Sequence, residues 1–197
     1  ALLNIKQGGK GQVVDAAMVD GASVLMSMFY AFKASGFWSE ERESNLLDGA
    51  AHFYDTYECA DKKFLAVGSI EPQFYSVLLE KLEITDPKFQ DQHNKELWPE
   101  LKVIIAEKIK KKSRDEWANI FDGSDACVAP VLSLSEAPKH HHMKARNSFI
   151  DVDGVIQPAP APRFSDTTPQ IRHSSVKAGE NNEEICSKYD LDRSCFS

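Results

Sequence analysis

Residues 53–75 read FYDTYECADKKFLAVGSIEPQFY. Two short β-prone runs, 53–59 and 63–67, flank Ala60-Asp61-Lys62, which is the pattern of an antiparallel hairpin. The second run meets Gly68 and then Ser69-Ile70-Glu71-Pro72, and an amphipathic pattern continues to about Leu82. Proline at the first helical position loses no hydrogen bond, so the helix opens at Pro72 with Glu71 as its cap. Glutamate caps poorly beside Ser, Asp or Asn. A hairpin running straight into a helix predicts an α+β fold of helices and short antiparallel hairpins. It also raises a question of chemistry. An ionised carboxylate where a strand meets a helix N-terminus is stabilised by the helix. It can orient an imidazole and stabilise its charged form. None of the six histidines, at 52, 93, 140, 141, 142 and 173, is singled out by spacing as the partner.

Upstream, Gly8-Gly9-Lys10-Gly11 reads as a loop and Gln12-Val13-Val14 as a short β-like piece. Met18, Ala22, Leu25, Met26, Phe29 and Phe32 then recur at helical steps, which predicts one helix from an Asp15 cap to a Gly36 stop. Its other face carries Val19, Val24, Met28 and Tyr30, the pattern of a helix buried by more than one neighbour. Residues 37–52 are polar and read as a linker. Downstream, 96–112 is helical with Leu101, Ile104, Ile105 and Ile109 on one face. Ser113-Arg114-Asp115-Glu116 is a capping box for a helix ending at Gly123, and 125–132 is extended. Residues 149–157 form a second hairpin around Asp153-Gly154. A Pro-Ala-Pro-Ala-Pro connector and a polar tail with a helical piece near Glu183 follow.

The chain has 197 residues, 42% hydrophobic and 27% charged, which is enough apolar material for a core. A net charge of -7 argues against nucleic acid as the main partner. No apolar run approaches the ~20 residues of a membrane span, and the start lacks the pattern of a signal peptide. Cys59 and Cys127 read as buried thiols, and the four cysteines form no CxxC pair, so a reducing compartment fits. His140-His141-His142 lacks a second cluster at ligand spacing, and no metal is expected. The basic run at 108–114 reads as a solvated helix end. No P-loop, GxGxxG or GxSxG motif is present. Ser194-Cys195-Phe196-Ser197 is not an SKL-type signal, so the cytoplasm is the default, with a peroxisome or mitochondrion left open.

Five stretches in order resemble one family: GQVVDAAMVDG (11–21), NLLDGAAHFYDTYECAD (45–61), AVGSIEPQFY (66–75), IFDGSDACVAPVL (120–132) and PAPAPRFS (158–165). Together they look like the C-terminal half of the α-methylacyl-CoA racemase family, within the family III CoA-transferase superfamily. The resemblance implies racemisation of 2-methylacyl-CoA thioesters through an enolate, with CoA carried by the substrate and no other cofactor. It implies an interlocked dimer in which a large domain of one subunit meets the small domain of the other. The His and Asp proton carriers of that family have no matching positions in this chain, so the chain alone is expected to be inactive.

By the same resemblance, Glu71 matches the glutamate that supports the catalytic His of the partner subunit. Leu47, Tyr54 and Ile70 match small-domain positions facing the acyl-CoA, and Met18 matches a methionine-rich acyl surface. The expected layout is a large-domain segment at 1–36, the linker at 37–52, a small α+β domain at 53–157 and a returning connector and tail at 158–197. Three departures stand out: Ala50 replaces a family glycine and His52 a family proline, which alters the linker near Leu47, and Lys62 replaces a hairpin glycine, which predicts a changed turn type. The implied partners are an acyl-CoA and either a second copy or an N-terminal half. A CoA-transferase of the same superfamily and a non-catalytic dimerisation or acyl-CoA-binding module remain as alternatives.

Overall fold

The computed structural model describes residues 1–192 and Ser194. Of the C-terminal tetrapeptide considered for targeting, Cys195, Phe196 and Ser197 lie outside the described residues. The chain divides into two compact units, Ala1–Val131 and Leu132–Ser197.

The first unit is built on a three-stranded antiparallel sheet of β1 (Tyr54–Glu58), β2 (Phe64–Gly68) and β3 (Val128–Pro130), with β2 in the middle. Tyr57 faces Leu65 across the first pair, and Val67 faces Val128 across the second. Alternation along β2 puts Leu65 and Val67 in the core. Helices α4 (Pro72–Lys81), α5 (Trp98–Ile109) and α6 (Arg114–Phe121) supply the rest. Leu101, Ile105 and Ile109 of α5 are wholly buried at the predicted helical spacing, while Ile104 is half-buried. The capping box at Ser113 and Glu116 is complete. Lys62 in the hairpin turn has φ +63, the left-handed conformation that a glycine adopts without strain. The lysine therefore sits in glycine's backbone region.

The N-terminal segment departs from the single helix expected. It forms α1 (Leu2–Lys6), α2 (Met18–Leu25) and α3 (Ser27–Ala34). Residues 12–14 form no strand, and the cap of α2 is Ala17 rather than Asp15. The break at Met26 has a local cause. Ser23 and Ser27 donate their hydroxyls to the carbonyls of Val19 and Val24, at 2.8 and 2.6 Å, and such back-bonding bends helices. No residue of α2 or α3 is buried within this chain. Gly36, with φ +78, ends α3 as expected.

The second unit holds the hairpin of β4 (Phe149–Val152) and β5 (Val155–Pro158), together with α7 (His141–Ala145) and α8 (Asn182–Tyr189). Asp153 and Gly154 both have positive φ, as a two-residue hairpin turn of this kind demands. The rings of His140 and His141 lie against each other, with centroids 4.4 Å apart. Among the described residues, no group of His, Cys, Asp and Glu is arranged to hold a metal ion, and no helix is long and apolar enough to cross a membrane.

The two cysteines read as buried separate in the structure. Cys59 is buried, and burial pushes its thiol up to about 11. Cys127 is exposed. It precedes β3 with φ +53 and lies between Ala126 and Val128, both of which face the core, so alternation turns its side chain to the outer face.

Candidate functional site

The junction between β2 and α4 is held from four directions. The Gly68 N–H donates to the Cys127 carbonyl at 2.9 Å, and the Ser69 N–H to the Phe53 carbonyl at 3.0 Å. The buried Ser69 hydroxyl donates to the Ala126 carbonyl. From the loop before α5, the buried Gln92 amide donates to the carbonyls of both Ser69 and Ile70, at 3.1 and 3.0 Å. The backbone that presents Glu71 is therefore fixed before the helix begins.

Glu71 is the N-cap of α4 in extended conformation, and its side chain makes no capping bond. The carboxylate is exposed and takes no hydrogen bond from the Gln73 or Phe74 N–H, the donors a cap would accept. A cap that does not cap is left available for another donor. It faces no counter-charge among the described residues.

Beside this junction lies an open cavity of about 510 Å³ over the outer face of the sheet. Leu47, Asp48, Tyr54, Gly68 and Cys127 are among its walls. Burial, followed by the charges of Glu71 and Asp125, pushes the Cys127 thiol up, so Glu71 is felt electrostatically at the cavity wall. The loop carrying Leu47 is closed by hydrogen bonds to Asp48. Burial would raise the Asp48 carboxyl, but the Asn45 amide and the N–H groups of Asn45, Ser44 and Ala50 hold it below its ordinary value. Lys102 of α5 bonds both the Gly49 carbonyl and the Asp55 carboxylate, tying this loop to β1.

The model of CoA-transferase family III matches residues 1–182. This chain belongs to CoA-transferase family III. It is 43% identical over 194 residues to the alpha-methylacyl-CoA racemase of Mus musculus, covering 96% of this chain and 50% of that protein. To the Homo sapiens protein of the same name it is 40% identical over 196 residues, covering 98% of this chain and 51% of that protein. The chain thus spans about half the length of these curated relatives. A CAIB/BAIF family protein from Brucella suis superposes with a TM-score of 0.68 at 23% identity, over 97% of this chain and 50% of that structure. Rv3272 from Mycobacterium tuberculosis superposes equally well, 0.68 at 16% identity, over 93% of this chain and 48% of that structure. These neighbours share the mixed α+β fold.

Within this family III chain, the residues matched by resemblance do not all converge. Leu47 and Tyr54 share the cavity, while Glu71 is not in its wall but follows three positions after Gly68, which is. Ile70 is half-buried and packs against the core instead, with its carbonyl taken by Gln92. Met18 is 90% exposed on α2 and borders neither this cavity nor a second one described below. Gln92 and Lys102, which position the site, escaped the sequence reading. Each acts on residues more than twenty positions away, and no motif marks them.

His52 is the family III chain's other surprise. It is wholly buried, with rings of Phe53, Tyr75 and Phe89 edge-on around it. Its Nε2 meets the Tyr75 hydroxyl at 2.7 Å, while Nδ1 has no partner. Burial, and then the neighbouring His93, lower its pKa from 6.5 to about 4, so the ring is neutral near pH 7. Tyr75 sits one turn after Glu71, so the imidazole braces the helix that Glu71 caps. The residue read as the end of a polar linker is core. Its neighbours Ala50, Ala51 and Phe53 were the signal for that.

The role of Gln92 is testable. Gln92→Leu should lower unfolding free energy by about 2 kcal/mol, because the buried Ser69 carbonyl and the part-buried Ile70 carbonyl lose their donor. Urea titration would show it. A change under about 0.5 kcal/mol would mean that the turn is held well enough by Ser69 and Gly68.

Proposed function

We propose that this chain is the C-terminal half of an enzyme that racemises 2-methylacyl-CoA thioesters. The observation that carries the reading is the uncommitted Glu71 carboxylate, held at a fixed strand–helix junction beside an open cavity. Identity of 40–43% to two racemases supports it. In the complete protein, a base removes the α-proton, the thioester carbonyl becomes an enolate, and an acid on the other face returns a proton. The proton carriers are a His and an Asp outside this chain. Glu71 accepts a hydrogen bond from that His, contributed by the other subunit of an interlocked dimer, and stabilises its charged form. Leu47 and Tyr54 form the wall against which the acyl group rests. Residues 1–36 belong to the large domain, 53–157 to the small one, and 158–197 return to the large one. The exposed apolar faces of α2 and α3 suit burial against the rest of that domain.

Incubation with a 2-methylacyl-CoA in deuterated water tests this. The isolated chain should exchange no α-proton, and the full-length protein should exchange it at enzyme-like rates. Exchange by the isolated chain alone would overturn the division of labour. Transfer of CoA between carboxylates by the full-length protein, without exchange, would establish the transferase reading instead.

A further inference from the structure

A second cavity, of about 540 Å³, opens where α3 and the following loop meet the start of α5. Phe32, Phe37, Trp38, Leu46 and Trp98 make most of its wall, and Lys95 stands with them. The size is that of a small-molecule site, and so is the chemistry: a mainly apolar and aromatic lining with few polar groups.

The walls are held in place. Trp98 is 3% exposed, and its indole N–H donates to the Gln92 carbonyl at 2.8 Å. Trp38 is packed edge-on against Phe29, with centroids 4.8 Å apart, and its backbone N–H donates to the Phe32 carbonyl. Between them, the buried Asn45 side chain bonds both the N–H and the carbonyl of Ser39, at 2.8 and 3.0 Å, closing the loop that carries Leu46. Preformed walls lower the ordering cost of binding.

Among the described lining residues, Lys95 is the one permanent cation, and no ion pair holds it. The Lys95 ammonium donates to the Ser44 carbonyl at 3.3 Å and stands 5.8 Å from the centre of the Trp98 ring. Among the described residues it pairs with no carboxylate. An ammonium has three donors, so two remain for a ligand.

We infer that this aromatic cavity is a binding site for a small amphipathic carboxylate, with its alkyl body among the rings and its carboxylate on Lys95. It is a different site from the cavity beside Glu71, from which Leu47 separates it as a shared wall. All of its lining residues belong to this chain, and the inference does not rest on the racemase reading.

Titration of the 197-residue chain with decanoate, and in parallel with decanol, tests this through the emission of Trp38 and Trp98. Decanoate should bind saturably at one site, and each methylene removed from the probe should weaken it about fourfold. Lys95→Met should weaken decanoate at least tenfold and leave decanol within twofold. Leu46→Trp should abolish both by filling the cavity, with folding checked by urea midpoint. Non-saturating binding, or full decanoate affinity in Lys95→Met, overturns the proposal. So does an affinity that falls as the chain self-associates, because a second copy would then be the occupant. Lys95 is exposed, so its variant keeps the test decisive even if Leu46→Trp fails to fold.

Discussion

Glu71→Gln in the complete enzyme is expected to slow α-proton exchange by about 100-fold, in the range that acid/base assistance supplies. The same substitution in this chain should move the unfolding free energy by less than about 0.5 kcal/mol, as at other exposed sites. The two expectations come from one fact: the Glu71 side chain does no capping work on α4. A structural carboxylate would show the reverse, with lost stability and intact rate. Glutamine keeps the shape and a carbonyl acceptor, so any rate loss reports the missing charge opposite an imidazolium. On the proposed role, the acidic limb of the rate profile should shift with it, because a supported His would lose its partner. An exchange rate within twofold of wild type, with unchanged pH dependence, would falsify the supporting role and leave Glu71 a plain helix start.

Acid should destabilise the first unit earlier than its carboxylates explain. The folded His52 takes its proton near pH 4 and the unfolded one near 6.5. Between those values the unfolded chain holds more protons, so stability is complete above about pH 6.5 and is lost as pH falls towards 4. The full difference corresponds to about 3 kcal/mol. The groups around the ring explain the sign. Phe53 and Phe89 cannot solvate a charge, Tyr75 offers one hydroxyl, and His93 adds repulsion. Asp48 ionises below the ordinary carboxylate range, so its own contribution is lost only in stronger acid. Urea midpoints measured from pH 7.5 to 4.5 would reveal the slope. His52→Phe, which keeps a ring among the aromatic neighbours, should flatten it. An equal slope in the variant would place the acid sensitivity elsewhere.

Local chemistry made much of the fold legible in the sequence. Pro72 after Glu71, the Ser113–Glu116 box, the Asp153-Gly154 turn and the 101, 105, 109 stripe each specify their element within a few residues of chain. The candidate site was legible only in part. Glu71 drew notice because it broke a local rule, and its neighbours Leu47 and Tyr54 came from the family resemblance. Residues 37–52 misled because Asn45 and His52 are polar by type yet buried by contact. Their partners, Ser39 and Tyr75, are chosen by how the loop folds back.

Sequence by itself determined the hairpin, the helix starts and the oddity at position 71, since these depend on propensity and spacing along a few turns of backbone. Tertiary structure alone decided that Gln92 and Lys102 hold the site, that Cys127 faces outward and that an uncommitted lysine borders an aromatic cavity. The physical reason is range: a hydrogen bond across the fold joins residues whose separation in sequence carries no periodicity to read.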